Sequence, residues 1–388
     1  MMPLPRILIL VTALVFGGCP VTTHDDDGGD DDTQGDDDVS PDDDSGDDTG
    51  DDDTGGDDDT TVPPDPMELG ELVVVCDGED PDVALDGDGH LHLVYARGGD
   101  TWYREVVLPG DLGTEFLVGD GDDPQVALDG AGMPHVVMGA LSYGRWNGAG
   151  FDTQVLTGAW RKPRLAVDSH DRIHATVSRD PSPRIILFVL QGGELLAGPI
   201  EVGEDNNGGI DFDSQDLAHI TWRDHAVHHM TWSLEAGAGE VTQLQASSDF
   251  SWIAVDTRDD SLHVVNTVRE GEGIHYRTAT GGAWGAEQVV AYDEVIGVDD
   301  PDNVGPTIDV DRSGNKYVVF AGRDRVPYFF LVDASGQVSA VARIDPDFGS
   351  LSGGKYENPN VGAHPDRAGA CVAWGDNQVL VRCMGVGQ

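Results

Sequence analysis

The feature that most limits what this chain can fold into is a pattern that returns seven times between Pro81 and Trp374. A Pro or Gly usually leads a short apolar strand. Then come Asp, a tight turn often holding Gly, and a second strand opening with His. The copies are PDVALDGDGHLHLVY from Pro81, PQVALDGAGMPHVVM from Pro124, PRLAVDSHDRIHATV from Pro163 and GIDFDSQDLAHITW from Gly209. They continue as WIAVDTRDDSLHVV from Trp252, PTIDVDRSGNKYVVF from Pro306 and PNVGAHPDRAGACVAW from Pro359. The shared Asp falls at Asp86, Asp129, Asp168, Asp213, Asp256 and Asp311, with His364 in the seventh place, at spacings of 43, 39, 45, 43, 55 and 53 residues. A period of that size suits four short strands per blade of a β-propeller.

Each copy runs on into a third and a fourth strand, as in IHYRTATGGAWGAEQVV from Ile274. Period-2 alternation in HLHLVY marks a strand buried on one face. The seventh copy stops after its third strand, VLVRCMG. The segment ELVVVC, Glu71 to Cys76, precedes the first copy and aligns with the fourth-strand segment TEFLVG. The expected fold is therefore all-β: a seven-bladed propeller over residues 67–388, closed by an N-terminal strand that completes the last blade. Closure would leave no open sheet edge at the seam.

The Asp-x-x-Gly step reads as a turn in which Asp accepts backbone N–H bonds and Gly takes a positive φ. The recurring His is His92, His135, His174, His219 and His263, replaced by Tyr317 and Cys371 in the last two copies. Equivalent residues spread around a ring cannot converge on one ion. They are expected to be structural, each bonded to a neighbouring turn, with no metal site and no catalytic residue among them. Arg104, Arg277 and Arg382 share a third-strand position and are expected to pair with carboxylates between blades. His225, His228 and His229 are adjacent only in sequence, because neighbours on a strand face opposite sides. Cys371 opens a second strand and Cys383 ends a third, so an antiparallel hairpin brings them opposite each other. A Cys371–Cys383 disulfide is expected, with Cys76–Cys383 as the alternative.

Two long spacings mark insertions at residues 293–305 and 345–360, both ahead of a first strand and so on one face of the ring. The second carries Phe348, Lys355, Tyr356, Glu357 and Asn358, a mixture suited to sugar contacts and a possible ligand loop.

The formal charge is −50, from 72 acidic and 22 basic residues. Such a balance excludes nucleic acid, which needs a basic surface, and electrostatic docking on anionic lipid. Residues 20–66 hold 21 Asp and no Lys or Arg. That segment lacks the apolar residues needed to offset ordering entropy and is expected to be a disordered, self-repelling tether. Its carboxylates could collect Ca²⁺ only weakly and diffusely, and no other cofactor is implied.

The first 19 residues, MMPLPRILILVTALVFGGC, combine one Arg, a short apolar run and small residues before Cys19, the pattern of an export signal. The Gly-Gly-Cys ending resembles the bacterial lipobox, which implies lipidation of Cys19 and anchoring to a membrane. By the same resemblance, Pro20 in place of Asp implies outer-membrane or cell-surface display. Over residues 70–388, the Asp-x-x-Gly turn followed by His or an aromatic resembles Asp-box or BNR-type repeats of the sialidase-like superfamily. The full Asp-box and the Arg-Ile-Pro signature are not present, so no catalytic residue is carried over. FG-GAP-type Ca²⁺ loops are similar too, but His92 and Tyr317 stand near where those loops want a closing carboxylate. The expected protein is a monomeric, surface-anchored lipoprotein whose propeller is a non-enzymatic binding module for glycan or protein ligands. The alternatives are a sialidase-like glycoside hydrolase or polysaccharide lyase, and an envelope scaffold.

The anchor is testable by fractionation: Cys19→Ser should move the protein from the membrane pellet to the soluble exported fraction. A variant that stays in the pellet rejects lipidation as the tether.

Overall fold

The computed structural model describes residues 68–385, apart from positions 109, 140, 157–159, 180–183, 205, 246–247, 249, 268–272, 292–304, 323–325, 345–358 and 376. Cys19, the tether and the loop residues Phe348, Lys355, Tyr356, Glu357 and Asn358 lie outside the described residues.

The described residues form strands and turns and no helix. They make seven antiparallel sheets in which consecutive strands of one copy are neighbours. The first strands are Glu79–Leu85, Gln125–Leu128, Trp160–Val167, Asn206–Phe212, Phe250–Asp256, Thr307–Val310 and Asn360–Ala363. Each touches the first strand of the next blade, and the seventh touches the first, so they form a closed inner ring. In blades 4 and 5 the fourth strand is broken into two pieces, Gly237–Ala238 with Thr242–Gln245 and Ala283–Trp284 with Gln288–Ala291, both pairing with the third strand.

Blade 7 takes its fourth strand from the other end of the chain. Leu69–Asp77 pairs antiparallel with Gln378–Met384, with Val73 opposite Val381 and Cys76 opposite Val379. A bulge between Val74 and Cys76 interrupts the alternation, so Val75 and Cys76 are both inside while Val74 is half exposed. They join Leu91, Leu93, Tyr95, Val379 and Val381 in one apolar cluster between blades 7 and 1. Cys371 and Cys383 stand directly opposite each other in the second and third strands of blade 7 and are disulfide-bonded. Cys76 is buried outside that bond.

The three aligned arginines do bridge blades, and each does so through a main-chain carbonyl of the preceding blade. Arg104 donates to Val75 O at 2.8 Å and Arg382 to Ile344 O at 2.8 Å, while Arg277 donates to Leu244 O. Each acceptor lies on or just beyond the fourth strand of the preceding blade. That outermost strand has no partner on its far side, so its carbonyls are available for pairing.

Burial around the bulge sets a stability test. Val75→Asp should cost more than about 3 kcal/mol in urea unfolding, because it buries an unpaired charge in the closing seam. Val74→Asp, one residue away and half exposed, should stay within about 0.5 kcal/mol. Equal effects would reject the bulged closure.

Candidate functional site: the central channel

A first strand pairs on one side only, so its other edge faces the ring axis. The space left there is a channel of about 780 Å³ lined by the first strands of all seven blades. It stays open because small residues occupy one row. Two positions before the turn residue stand Ala84, Ala127, Ala166, Asp211, Ala254, Asp309 and Gly362. Four positions before it stand Asp82, Gln125, Arg164, Gly209, Trp252, Thr307 and Asn360, seven different residue types.

Three channel carboxyls act as sutures between blades. Asp82 Oδ2 accepts from Val126 N at 2.8 Å, Asp211 Oδ2 from Val255 N at 2.7 Å and Asp309 Oδ2 from Ala363 N at 2.7 Å, each amide belonging to the next blade. Asp211 and Asp309 also cap the amides of Phe212 and Val310 with Oδ1, each at 2.8 Å. Burial raises these carboxyls against the pull of the amides, Asp82 and Asp211 to about 7 and Asp309 to about 6.

The turns at the far end of the first strands form a second ring. Asp129, Asp168, Asp213 and Asp311 cap their own turns, with Oδ1 accepting the amide four residues on at 2.9–3.0 Å. Asp86 does the same for His90 N at 2.8 Å. Asp256 belongs to a turn one residue longer and instead holds Arg258. Where Gly does not fill the left-handed position, Asp does: Asp171, Asp216 and Asp260 have φ of 56°, 58° and 55°. That conformation costs an L residue about 1–2 kcal/mol. Each of these Asp residues offsets it by accepting an amide from the preceding blade, Gly130, Ser169 and Ser214 respectively, all at 2.8 Å.

The repeat histidines bond to the turn of their own blade. Nε2 meets the turn Asp at 3.5 Å for His92, 3.2 Å for His135, 3.0 Å for His174 and 3.5 Å for His219. His263, after the longer turn, meets Ser261 Oγ at 2.9 Å instead. On the other side, Nδ1 of His92, His135 and His263 meets Tyr103, Tyr143 and Tyr276 at 2.6–2.8 Å. Tyr317 reaches Asp311 directly at 2.7 Å. These Asp–His–Tyr sets resemble catalytic relays in composition, yet each is buried inside one blade. Burial holds His263 down to about 4, and burial beside His219 does the same for His229. Of the sequence-adjacent trio, His228 stacks on Trp222 and His229 on His219, whereas His225 sits in a turn with φ of 54°.

Asp168, His170 and Asp216 bring three metal-capable groups within 4.8 Å of one another. Both Asp216 oxygens are already used, by Ser169 N and Ser169 Oγ at 2.8 Å each. Outside the channel lining, Arg164 lies with its guanidinium 4.3 Å from the Trp252 ring centroid and Lys162 lies 5.6 Å from that of Phe250, and Arg164, Phe250 and Trp252 border a void of only about 10 Å³. Sequence reading missed the channel carboxyls and this cation–aromatic pair. The signal available was the departure of single copies from the repeat.

The raised carboxyls set the sign of a pH effect. A carboxyl near 3.8 unfolded and about 7 folded holds its proton more tightly in the folded chain. Its contribution therefore favours folding near pH 4 and is lost as pH rises to 7, by up to a few kcal/mol. Asp82→Asn, which keeps the site neutral, should unfold at progressively higher urea than the parent as pH rises from 4 to 8. A constant offset across that range would reject the assignment.

No protein-family model matches the sequence, and no curated protein matches it. Solved structures do match in fold. The Aleuria aurantia lectin mutant in complex with Fucα1-6GlcNAc is 12% identical with a TM-score of 0.52, covering 74% of this chain and all of that one. The WD40 domain of Toxoplasma gondii coronin is 11% identical with a TM-score of 0.57, over 83% of this chain and 87% of that one. A protein of unknown function from Dyadobacter fermentans is 10% identical at 0.50, over 82% and 98%. Likeness at such identities shows the propeller fold, and the fold alone.

Proposed function

We propose that this protein is a non-enzymatic binding module for a glycan, held by a lipidated Cys19 and an acidic tether at the outer membrane or cell surface. The observation that carries the reading is where the reactive side chains go. The Asp–His–Tyr sets are closed within single blades, and Asp211 and Asp309 spend both oxygens on backbone amides. Hydrolysis needs a pair of carboxyls free to act on a glycosidic bond, and these are bound up in holding blades together. What all seven blades share is a channel within the size range of small-ligand sites. The lectin of similar fold, in complex with a fucosyl saccharide, supports a glycan over a protein ligand.

A glycan array probed with the purified protein tests the reading, together with reducing-end assays on every hit. Binding to a related set of glycans with no release of reducing ends is expected. Release would establish the hydrolase alternative, and a silent array would favour a scaffold in the envelope.

A further inference from the structure

The channel wall carries charge of one sign. Asp82, Asp211 and Asp309 edge its interior, and Asp86, Asp88, Asp129 and Asp366 edge the mouth on the turn side. Among the described residues no Lys, Arg or His lines it. The cations of the turn ring serve other carboxylates. Arg172 pairs with Asp168 at 2.5 Å and Arg258 with Asp256 at 2.6 Å, and both of those Asp residues stand outside the lining.

Burial disfavours the charged form of the interior carboxyls, and Asp309 repels both Asp82 and Asp211. Backbone amides bond them, and Arg164 acts on Asp82 only from outside the lining. A cation on the axis would favour their ionised form, which a neutral or anionic ligand would not. At the mouth burial is outweighed, and amide and histidine hydrogen bonds hold Asp86 and Asp129 below the usual carboxylate range. Like charges around a walled passage concentrate their field along it. The space of about 780 Å³ is far larger than a bare ion fills. Ionised carboxylates only accept hydrogen bonds, and ammonium groups and sugar hydroxyls both donate them.

We propose that the channel selects amino sugars, glycans that carry free protonated amines, over neutral and acidic ones. This names the ligand class of the glycan-binding reading and rests on it. An ammonium on a sugar ring brings a charge opposite to that of the wall, and the ring's hydroxyls bring donors for the remaining carboxylate lone pairs. A uronate would meet like charge from the mouth to the far end of the passage.

Titration calorimetry of the purified protein with a glucosamine trimer, its N-acetylated counterpart and trigalacturonate tests this. The glucosamine trimer should bind at least about tenfold tighter than the N-acetylated one, as one charged hydrogen-bonded pair implies, and trigalacturonate should bind weakest. Ala127→Phe sets a ring into the small-residue row of the channel and should remove the binding. Asp88→Asn together with Asp366→Asn, both exposed at the mouth, should cut the preference severalfold. Equal affinities for the two trimers, or tighter binding of trigalacturonate, would overturn the proposal. So would full binding by folded Ala127→Phe, which would place the amine on the outer surface. Should Ala127→Phe not fold, the mouth pair decides, and an unchanged preference there rejects the channel. Tight binding of the N-acetylated trimer alone removes the amine preference and leaves the binding module standing, whereas a silent array removes both.

Discussion

The whole ring depends on one hydrogen-bonded ladder, that between Leu69–Asp77 and Gln378–Met384. Its two strands lie about 300 residues apart in the chain, so pairing them closes a very long loop before any local contact rewards it. The stabilising devices cluster where that cost falls. Arg382 donates to Gly70 O from within blade 7, and Arg104 donates to Val75 O from blade 1, so the closing strand is held from both neighbours. The Cys371–Cys383 bond ties the two strands on which it is laid. The cluster around Val75, Tyr95 and Val381 buries the seam.

Once the ring closes, the polar atoms on its inner edge need partners. Buried amides left unpaired are expensive, and the first strands turn an open edge to the axis. Asp82, Asp211 and Asp309 answer this at three of the seven junctions, each by reaching the following blade. The junction of blades 4 and 5 shows the trade between apolar and polar contact. Its cluster is small, with Val227, Leu244, Ile253 and Val264. Asp211 to Val255 and Asp260 to Ser214 add hydrogen bonds there.

Architecture was legible in the sequence because a repeat states its fold seven times. The period, the alternation and the truncated last copy together gave the blade number and the closing strand. The cross-strand position of Cys371 and Cys383 follows from hairpin geometry alone. The arginine partners were not legible, because main-chain carbonyls leave no trace in residue identity. Asp171, Asp216 and Asp260 were passed over because glycine was the expected occupant of a positive φ, and a consensus hides a substitution that has its own hydrogen bond. The channel residues escaped for the same reason: attention went to what the copies share.

In a protein of repeated blades, constancy between copies measures what the fold demands. The turn position is Asp in six of seven copies and caps backbone in nearly all of them. The row two residues earlier is mostly Ala, as needed to keep the axis open. The row four residues earlier has no consensus at all. That row is not free of the fold, since Asp82, Thr307 and Asn360 each bond the following blade with a different group, so its variety reflects junctions solved one by one. The same row holds Arg164, whose guanidinium rests on Trp252, a cation in a domain that is otherwise strongly acidic. The carboxylates of so acidic a domain repel anions at long range, so single cations such as Arg164 are held by local packing and not by the field of the whole molecule.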